Sequence, residues 1–274
     1  MRAVILAAGL GWRLGEQGRL MPKSLLEFGG ESLFARHVRL LSACGIEEVT
    51  IGVGYQAQKM RDAAAALSRV GMSVNLIEND RYQLGNVVTL WTLRDALTYG
   101  GPVLLMDADV LYDARMLRRL INSKAQNCFL LDREFEPGDE PVKLCVRGGV
   151  PVEFAKTLPE GLQYDQIGES VGFFKLSADA AAELAARTDR YIDSGATEAM
   201  YEAVLREQVL ADPSRFGFED VTGLPWIEID FPEDVRKAAT LFWEQLEEAG
   251  APAETLAPSI GEHRRRLVVD APAE

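Results

Sequence analysis

The chain has 274 residues, of which 47% are hydrophobic and 26% charged, which is enough for one large domain with a sizeable core. Its formal net charge of −13 argues against a nucleic-acid partner, because binding DNA or RNA calls for a basic surface. Three scattered cysteines without C-x-x-C spacing favour neither a disulfide framework nor a zinc site. No apolar run is long enough to span a bilayer, so we predict a cytoplasmic protein without membrane insertion.

Strands and helices are predicted to alternate through the first half of the chain. Residues 2 to 8 form a continuous apolar run, which is typical of a strand covered on both faces of a parallel sheet. Ser32 is a predicted N-cap for a helix that ends before Gly45. The alternation continues with strands at 48–53, 73–77 and 102–106 and helices at 32–44, 56–69, 86–98 and 113–123. Such βαβ units predict a Rossmann-like α/β fold, a doubly wound, mostly parallel mixed sheet with ligands at the carboxyl ends of its strands.

The pattern changes after Asn127. Short strand-like segments are predicted at 129–132, 142–146, 150–156 and 169–176, and Arg147-Gly148-Gly149 indicates a hairpin turn. We expect this half to add antiparallel or edge strands that wall off part of a binding pocket. Further helices are predicted at 178–187, 198–210 and 232–248, and a last strand at 226–230. Residues 1–248 are predicted to form one domain with halves 1–126 and 127–248, and residues 249–274 a tail rich in Ala, Pro and Glu.

The loop after the first strand carries the first chemical signal. Four glycines between residues 9 and 18 let backbone amides approach a phosphate, and Arg13 and Lys23 would neutralise a triphosphate. The glycine spacing is also compatible with a dinucleotide fingerprint. A dinucleotide site requires an acidic residue after the second strand, but this chain has Gly52-Val-Gly-Tyr55 there. It also requires a helix directly after the glycines, where we expect a long loop up to Pro22-Lys23. The pattern therefore favours a triphosphate site.

Two acidic pairs stand at predicted strand ends. Asp107 and Asp109 follow one apolar strand, and Glu228 and Asp230 end another, so both pairs can reach the edge of the sheet where ligands bind. Hard carboxylate oxygens suit Mg²⁺, which would neutralise triphosphate charge. The alternative is a solvated strand end or a helix cap. Asp113 is the better cap after the first pair, whereas Asp230 is an even candidate for capping the last helix.

Taken in order, these motifs resemble those of a known family. Leu6-Ala-Ala-Gly-Leu-Gly-Trp-Arg13, Pro22-Lys23-Ser-Leu-Leu26, Asp107-Ala-Asp109 and Glu228-Ile-Asp230 resemble the sugar-phosphate and phospho-alcohol nucleotidyltransferases of glycosyltransferase-A-like fold. Within that family, the segment 79–90 and the ending are most similar to the cytidylyltransferases of phosphocholine, aminoalkylphosphonates and inositol phosphate. Trp12 departs from the small residue that many relatives carry.

The resemblance implies a role for each matched residue. CTP would lie on the first loop with its phosphates on Arg13 and Lys23, which form the catalytic set together with Asp109. The magnesium ion would be held by Asp109 and Asp230. No general base is needed, because a phosphate acceptor is already ionised, and His37 is expected on a helix surface. The implied nucleotide-binding residues are Leu6, Ala7, Ala8, Gly9, Leu10, Gly11, Arg13, Lys23, Asn86 and Asp107.

The acceptor is less constrained by the sequence. We expect the acceptor to be a phosphorylated small alcohol or a phosphonate. An acceptor with an ammonium group would favour a site of aromatic faces and carboxylates, and a polyol would favour carboxylate and amide contacts. Each candidate residue has a structural alternative, since Trp226 also suits a core and Asp132-Arg133 a surface ion pair. The candidate acceptor residues are Arg133, Lys143, Glu169, Trp226 and Glu228, with Asp132, Lys156 and Tyr164 beside them.

Three other functions stay open. The nearest is a sugar-1-phosphate nucleotidyltransferase that uses UTP, GTP or dTTP. A glycosyltransferase would bind a nucleotide sugar through Asp107-x-Asp109, but Arg13 and Lys23 speak against it. A non-catalytic nucleotide sensor would not need Lys23, Asp109 and Asp230. A homodimer also stays open.

Overall fold

The computed structural model describes residues 1–67 and 71–241, with Gln17 by its backbone alone. The tail predicted at 249–274, and the predicted helix beyond residue 241, lie outside the described residues. The strands are β1 (Arg2–Ala7), β2 (Glu27–Phe28), β3 (Glu31–Ser32), β4 (Glu48–Val53), β5 (Ser73–Glu78), β6 (Val103–Asp107), β7 (Val110–Tyr112), β8 (Asn127–Asp132), β9 (Lys143–Arg147), β10 (Val150–Ala155), β11 (Gln166–Leu176), β12 (Phe216–Asp220) and β13 (Trp226–Glu228). The helices are α1 (Glu16–Leu20), α2 (Leu33–Ala43), α3 (Ala57–Ala66), α4 (Asn86–Thr92), α5 (Arg94–Leu97), α6 (Ala114–Asn122), α7 (Ala178–Asp193), α8 (Tyr201–Ala211) and α9 (Pro232–Leu241).

A central sheet of mixed direction forms the frame of the molecule. Its strand order is β10-β9-β11-β6-β1-β4-β5, and β8 joins through β11 and carries β12. β1, β4, β5 and β6 run parallel to one another, whereas β11 is antiparallel to β6, β8 and β9. The predicted α/β fold with a mixed sheet is confirmed. The second half of the chain contributes strands to the same sheet as the first.

Apolar side chains cover both faces of this sheet. Along β1, Ala3 and Ile5 enter one hydrophobic cluster, while Val4 and Leu6 enter the cluster on the opposite face. Successive side chains of a strand point to opposite faces, so a strand with helices on both sides has no polar face. This explains the unbroken apolar run at the start of the chain.

Several predicted local signals are confirmed. The Ser32 hydroxyl oxygen accepts from the Ala35 N–H at 3.1 Å and caps α2, and Asp113 accepts from the Arg115 N–H at 2.7 Å and caps α6. Gly148 and Gly149 have φ of 60° and 81° between β9 and β10, which is the left-handed pair that a two-residue hairpin turn requires.

Other boundaries differ from the predictions. The helix predicted at 86–98 is two helices that meet at Leu93, and the helix predicted at 178–187 continues to Asp193. The loop expected up to Pro22-Lys23 contains α1. No element was predicted over β12, which pairs in parallel with β8. None of the described helices is long and apolar enough to cross a membrane.

The expectation for His37 is wrong. Its side chain is 1% exposed and lies between the Tyr112 hydroxyl at 3.4 Å and the Ala108 carbonyl at 3.2 Å. Burial lowers the pKa of His37 to about 4, so the ring is neutral at pH 7. This histidine is a hydrogen-bonded part of the core, between α2 and the segment that follows β6.

Candidate active site

A cleft of about 450 Å³ opens at the carboxyl ends of β1 and β6, which is a usual size for a small-molecule site. The glycine loop after β1 forms one wall, and β11 with the N-terminus of α8 forms the opposite one. The sequence-predicted residues that line this cleft are Leu6, Ala7, Ala8, Gly9, Leu10, Gly11, Arg13, Lys23, Asn86, Asp107, Asp109, Lys156, Glu169, Glu228 and Asp230.

The glycine loop is a compact, ordered turn. Gly11 and Gly15 have φ of 62° and 63° and bracket a 3-10 turn at Trp12–Leu14. Left-handed backbone favours glycine because a side chain would clash there. Gly18 packs on the carbonyl of Gly11, and a methyl group on Gly18 would lie 1.9 Å from that oxygen. The loop therefore needs glycine at these positions for its own geometry as well as for ligand approach.

The far end of the loop is tied to the segment after β4. The carbonyl of Arg19 accepts hydrogen bonds from the Tyr55 hydroxyl at 2.9 Å and the Gln56 amide at 2.8 Å, and the Lys59 ammonium donates to the carbonyl of Leu20. These donors satisfy carbonyl groups that the short helix α1 leaves unpaired at its end. Gln56 has φ of 50° and is the one described non-glycine residue in the left-handed region.

Lys23 lies at the centre of the charged groups. Its ammonium donates to Asp109 Oδ2 at 2.9 Å and also contacts Asp230 Oδ1. Burial lowers the pKa of Lys23, but the two carboxylates outweigh burial and hold the pKa above its ordinary value. Arg13 lies 3.3 Å from both Asp230 and Glu140. Each cation expected to hold phosphates is thus paired with carboxylates in the free protein.

A strand pair brings three carboxylates together. β13 runs antiparallel to β7, with Glu228 opposite Val110, and the Ile229 N–H donates to the Asp109 carbonyl at 2.9 Å. As a result, one oxygen each of Asp109, Glu228 and Asp230 lies within 4.8 Å of the others. Glu228 remains open to solvent, yet enclosure by the cleft and the charges of Asp109 and Asp230 raise its pKa above the ordinary value. Such a group of oxygen ligands can hold a hard divalent cation.

The contacts of Asp230 distinguish a residue of the cleft from a cap of the last helix. Its carboxylate faces Lys23 and Arg13. At the start of α9 it is Asp234 that accepts from the backbone N–H groups of Asp230 and Phe231, at 3.1 and 2.8 Å. Asp234 thus holds the chain just before α9, and the Asp230 carboxylate is directed at the cations of the cleft instead.

A further acidic residue, Asp107, lies at the end of β6 in the same cleft. Asp107 accepts a hydrogen bond from the Tyr201 hydroxyl at 2.8 Å and fits against Gly172, where a methyl group would lie 2.2 Å from Oδ2. Burial, then the charges of Glu202 and Asp109, raise the pKa of Asp107 well above its ordinary value. The side-chain oxygen of Asn86 accepts from the Tyr201 N–H at 2.6 Å. Tyr201 thus links two predicted nucleotide-binding residues. No sequence pattern indicated this role, because Tyr201 begins a helix that is distant in the chain.

Two of the predicted acceptor residues, Glu169 and Trp226, lie next to Asp132. Glu169 lines the cleft opposite Asp132 in the β11–β8 pair, and burial and then the Asp132 charge raise the pKa of Glu169 to about 7. Trp226 does not line the cleft. It packs against the core and donates its indole N–H to Asp132 at 2.8 Å, so it acts on this end only through that carboxylate.

Two predicted acceptor residues have other contacts. Arg133 forms an ion pair with Asp220 at 2.8 Å outside the cleft lining. The ammonium of Lys143 donates to the carbonyls of Gly138, Pro141 and Lys156 at 2.7, 3.2 and 2.6 Å. An ammonium has three donors, so these carbonyls leave none for a ligand. Tyr164 also lies outside the cleft lining.

The charge balance of the cleft is acidic. Glu140 contacts Arg13 and Lys156, each at 3.3 Å, and so joins the two walls at the mouth. A nucleoside triphosphate carries several negative charges and would be repelled by this lining unless a divalent cation accompanied it. Among the described residues of the lining, seven carboxylates stand against three cations: Asp107, Asp109, Glu140, Glu169, Glu202, Glu228 and Asp230 against Arg13, Lys23 and Lys156.

Known proteins are similar to this chain in sequence and in fold. The family model of the MobA-like NTP transferase domain matches residues 3–190. The bifunctional IPC transferase and DIPP synthase of Rubrobacter xylanophilus is 30% identical over 238 residues, which cover 85% of this chain and 50% of that protein. The CMP-5'-(3-aminopropyl)phosphonate synthase of Streptomyces rubellomurinus is 26% identical, over 87% of this chain and 38% of the relative. This chain therefore spans half or less of the length of these two relatives.

A third relative matches over nearly its whole length. The CTP:phosphoglutamine cytidylyltransferase of Campylobacter jejuni is 25% identical, over 86% of this chain and 98% of that protein. Among solved structures, the inositol-1-phosphate CTP transferase of T. maritima superposes with a TM-score of 0.70 at 18% identity, over 89% of this chain and 97% of the other. The CTP:phosphocholine cytidylyltransferase of Streptococcus pneumoniae gives 0.70 at 20% identity, over 88% and 98%. These structures share the fold.

Proposed function

This chain belongs to the family of the MobA-like NTP transferase domain, and from that premise we propose that it is a magnesium-dependent cytidylyltransferase. It joins CTP to a phosphorylated small alcohol or a phosphonate and releases pyrophosphate. The observation that carries the proposal is that the glycine loop, Lys23 and the carboxylates of Asp109 and Asp230 meet in one cleft. CTP is favoured because two relatives that are similar along most of this chain are named a CMP-5'-(3-aminopropyl)phosphonate synthase and a CTP:phosphoglutamine cytidylyltransferase.

The proposed reaction exchanges one phosphorus–oxygen bond for another. An oxygen of the acceptor phosphate or phosphonate bonds to the α-phosphorus of CTP, and the bond from that phosphorus to the bridging oxygen of the β-phosphate breaks. Backbone N–H groups of the glycine loop hold the phosphates, and Arg13 and Lys23 stabilise the charge that leaves with pyrophosphate. The acceptor is ionised at neutral pH, so the residues need only to hold the two phosphates in line.

The three converging carboxylates fit a hard divalent cation. Asp109, Glu228 and Asp230 offer oxygen ligands, and the acidic cleft needs extra positive charge to hold a triphosphate. A magnesium ion bound there would supply charge neutralisation at the phosphates. Glu228, which the sequence suggested as an acceptor residue, is assigned to this group because of its distance to the other two carboxylates.

The acceptor end supports a substrate with a positive group. Glu169 lines the cleft, and the charge of Asp132, its partner on the adjacent strand, repels the charge of Glu169. An ammonium group of the acceptor would relieve that repulsion, whereas a neutral polyol would not. We therefore place the acceptor's phosphate toward Lys23 and its ammonium group toward Glu169.

The test is a panel of nucleotides and acceptors. The protein is incubated with Mg²⁺, one of CTP, UTP, GTP or dTTP, and phosphocholine, an aminoalkylphosphonate, inositol 1-phosphate or a sugar 1-phosphate, and pyrophosphate is measured. We expect release with CTP and an ammonium-bearing acceptor. Release only with a sugar 1-phosphate and another triphosphate would replace the proposal by the sugar-nucleotide alternative, and no release with any pair would refute it.

Matched variants separate the metal site from general effects of charge. Asp109→Asn and Asp230→Asn should each lower kcat by at least about 100-fold, because an amide is a weaker ligand for a hard cation than a carboxylate. Asp62→Asn removes the same charge from an exposed position of α3 and should have no effect. Full activity of Asp230→Asn would remove that residue from the proposed ligand set.

A further inference from the structure

The ammonium of Lys23 occupies the point where the cleft carboxylates converge. It lies 2.9 Å from Asp109 Oδ2 and also contacts Asp230 Oδ1, the two residues assigned above to a divalent cation. Only 18% of the Lys23 side chain is exposed, so the carboxylates rather than water surround the charge. The free protein thus already holds one positive charge at this point.

The Lys23 ammonium and a magnesium ion would bind the same carboxylate oxygens. Charge-assisted N–H···O bonds are about 2.7–2.9 Å long, which agrees with the contact to Asp109. Magnesium binds oxygen at about 2.1 Å, so two oxygens on one ion lie at most about 4.2 Å apart. One oxygen each of Asp109, Glu228 and Asp230 lies within 4.8 Å of the others, close to the span that such an ion accommodates. The ammonium already contacts the oxygens of Asp109 and Asp230, so it and the ion would compete for them.

A second position, on the glycine loop, is open to the Lys23 ammonium. Its side-chain stem runs along the glycine loop, since a methyl group on Gly11 would lie 3.1 Å from Lys23 Cγ and 3.9 Å from Cε. The backbone beneath it is fixed, because the N–H groups of Leu25 and Leu26 donate to the carbonyls of Pro22 and Lys23 at 2.9 and 3.0 Å. Rotation about the side-chain bonds can therefore move the ammonium from the carboxylates to phosphates on the loop without moving the backbone.

We propose that the Lys23 ammonium acts as an internal counter-ion. It occupies the cation site of the free protein and leaves that site when it pairs with the phosphates of a bound nucleotide. This inference rests on the proposed function, because it concerns the order in which the nucleotide and the divalent cation bind to that site. The divalent cation binds weakly to the free protein and strongly to the protein that holds a nucleotide. By thermodynamic linkage, the cation strengthens nucleotide binding by the same factor.

The experiment measures the affinity for Mn²⁺ of the full chain by electron paramagnetic resonance, without nucleotide and with the α,β-methylene analogue of CTP, which cannot be cleaved. Without nucleotide, we expect Lys23→Met to bind Mn²⁺ at least tenfold more tightly than the natural protein. The analogue should tighten Mn²⁺ binding to the natural protein at least tenfold, and the gain should be several-fold smaller in Lys23→Met. Lys237→Met, on the exposed side of α9, removes the same charge and should behave like the natural protein.

The result that overturns the inference is an equal or weaker Mn²⁺ affinity of Lys23→Met without nucleotide. If that variant fails to fold, Lys23→Gln keeps a hydrogen-bond donor without the charge and is judged by the same comparison. None of these measurements needs turnover. Pyrophosphate release with unchanged Mn²⁺ affinities would refute the counter-ion role alone, whereas the expected affinities with no pyrophosphate from any substrate pair would refute the proposed function alone.

Discussion

Gly18→Ala perturbs the glycine loop from outside the cleft. Gly18 lies in α1 and not in the lining, and Ala is favoured over Gly in a helix by about 1 kcal/mol. Helix propensity alone therefore predicts a stabilising substitution. The structure predicts the opposite, because the new methyl group would lie 1.9 Å from the Gly11 carbonyl oxygen and 2.8 Å from its carbon.

The size of the expected effect follows from that contact. Carbon and carbonyl oxygen approach to about 3.3 Å without strain, so the Gly11 carbonyl has to retreat by roughly 1.4 Å. Gly11 belongs to the proposed phosphate loop and contacts the stem of Lys23, so both groups lose their position. Misplacement of this size costs on the order of 100-fold in rate where a site depends on positioning. We expect kcat/KM for CTP to fall 10- to 100-fold.

Initial rates of pyrophosphate release over a range of CTP concentrations give kcat/KM, and isothermal calorimetry measures nucleotide binding. The control is Gly138→Ala, in the loop before β9, where the nearest atom to the new methyl group is 3.9 Å away. It should leave kcat/KM unchanged. A value for Gly18→Ala within twofold of the natural protein would show that the packing of α1 on Gly11 does not position the nucleotide.

Three further predictions concern the loop, the acceptor end and the core. Gly9→Ala meets no atom within 4 Å, so Tm should stay unchanged, while CTP affinity measured by calorimetry falls at least tenfold because the methyl group occupies the phosphate position. Glu169 has its pKa raised from 4.5 to about 7, so the folded state loses stability as pH rises through that interval; Glu169→Gln should have a higher Tm than the natural protein at pH 8 and a similar one at pH 4.5. Asp113→Ala removes the α6 cap and the partner of Arg115 and should cost about 2 kcal/mol, or roughly 4–8 °C in Tm by scanning calorimetry.

Each of these has a contradicting result. A Tm of Gly9→Ala several degrees lower would mean that the added methyl group strains the fold, and unchanged CTP affinity would place the phosphates elsewhere. A Tm difference for Glu169→Gln that does not grow between pH 4.5 and pH 8 would mean that this carboxyl does not titrate in the folded state near pH 7. A Tm of Asp113→Ala within 1 °C of the natural protein would mean that Arg115 and solvent replace the cap.

The local parts of the fold were predictable from the sequence because their causes are local. The caps at Ser32 and Asp113, the turn at Gly148-Gly149 and the apolar run of β1 each depend on a few neighbouring residues. β12 was not predictable in the same way. It pairs with β8, nearly ninety residues earlier, and one edge contact of this kind leaves little trace in a five-residue segment.

The candidate site shows the same division. The glycine loop and Lys23 come from one stretch of chain, so their meeting was predictable, whereas Tyr201 reaches Asp107 from a helix 94 residues away. Sequence patterns give residue types at strand ends but not the partners of each charge. Lys143 illustrates this, since the sequence suggests a ligand-binding cation and the structure pairs its three donors with backbone carbonyls.

The net charge of the chain is a poor guide to the charge of its small-molecule ligand. A charge of −13 argues against a polyanion that would cover a wide surface, yet the proposed ligand is itself an anion. The two facts agree because Arg13 and Lys23 are held in the cleft by Asp230, Asp109 and Glu140, which keep both cations in place before a ligand arrives. The same carboxylates would then be free to bind a divalent cation once the phosphates have drawn the cations away. An acidic cleft is therefore compatible with a triphosphate substrate, provided that its carboxylates hold cations at both stages.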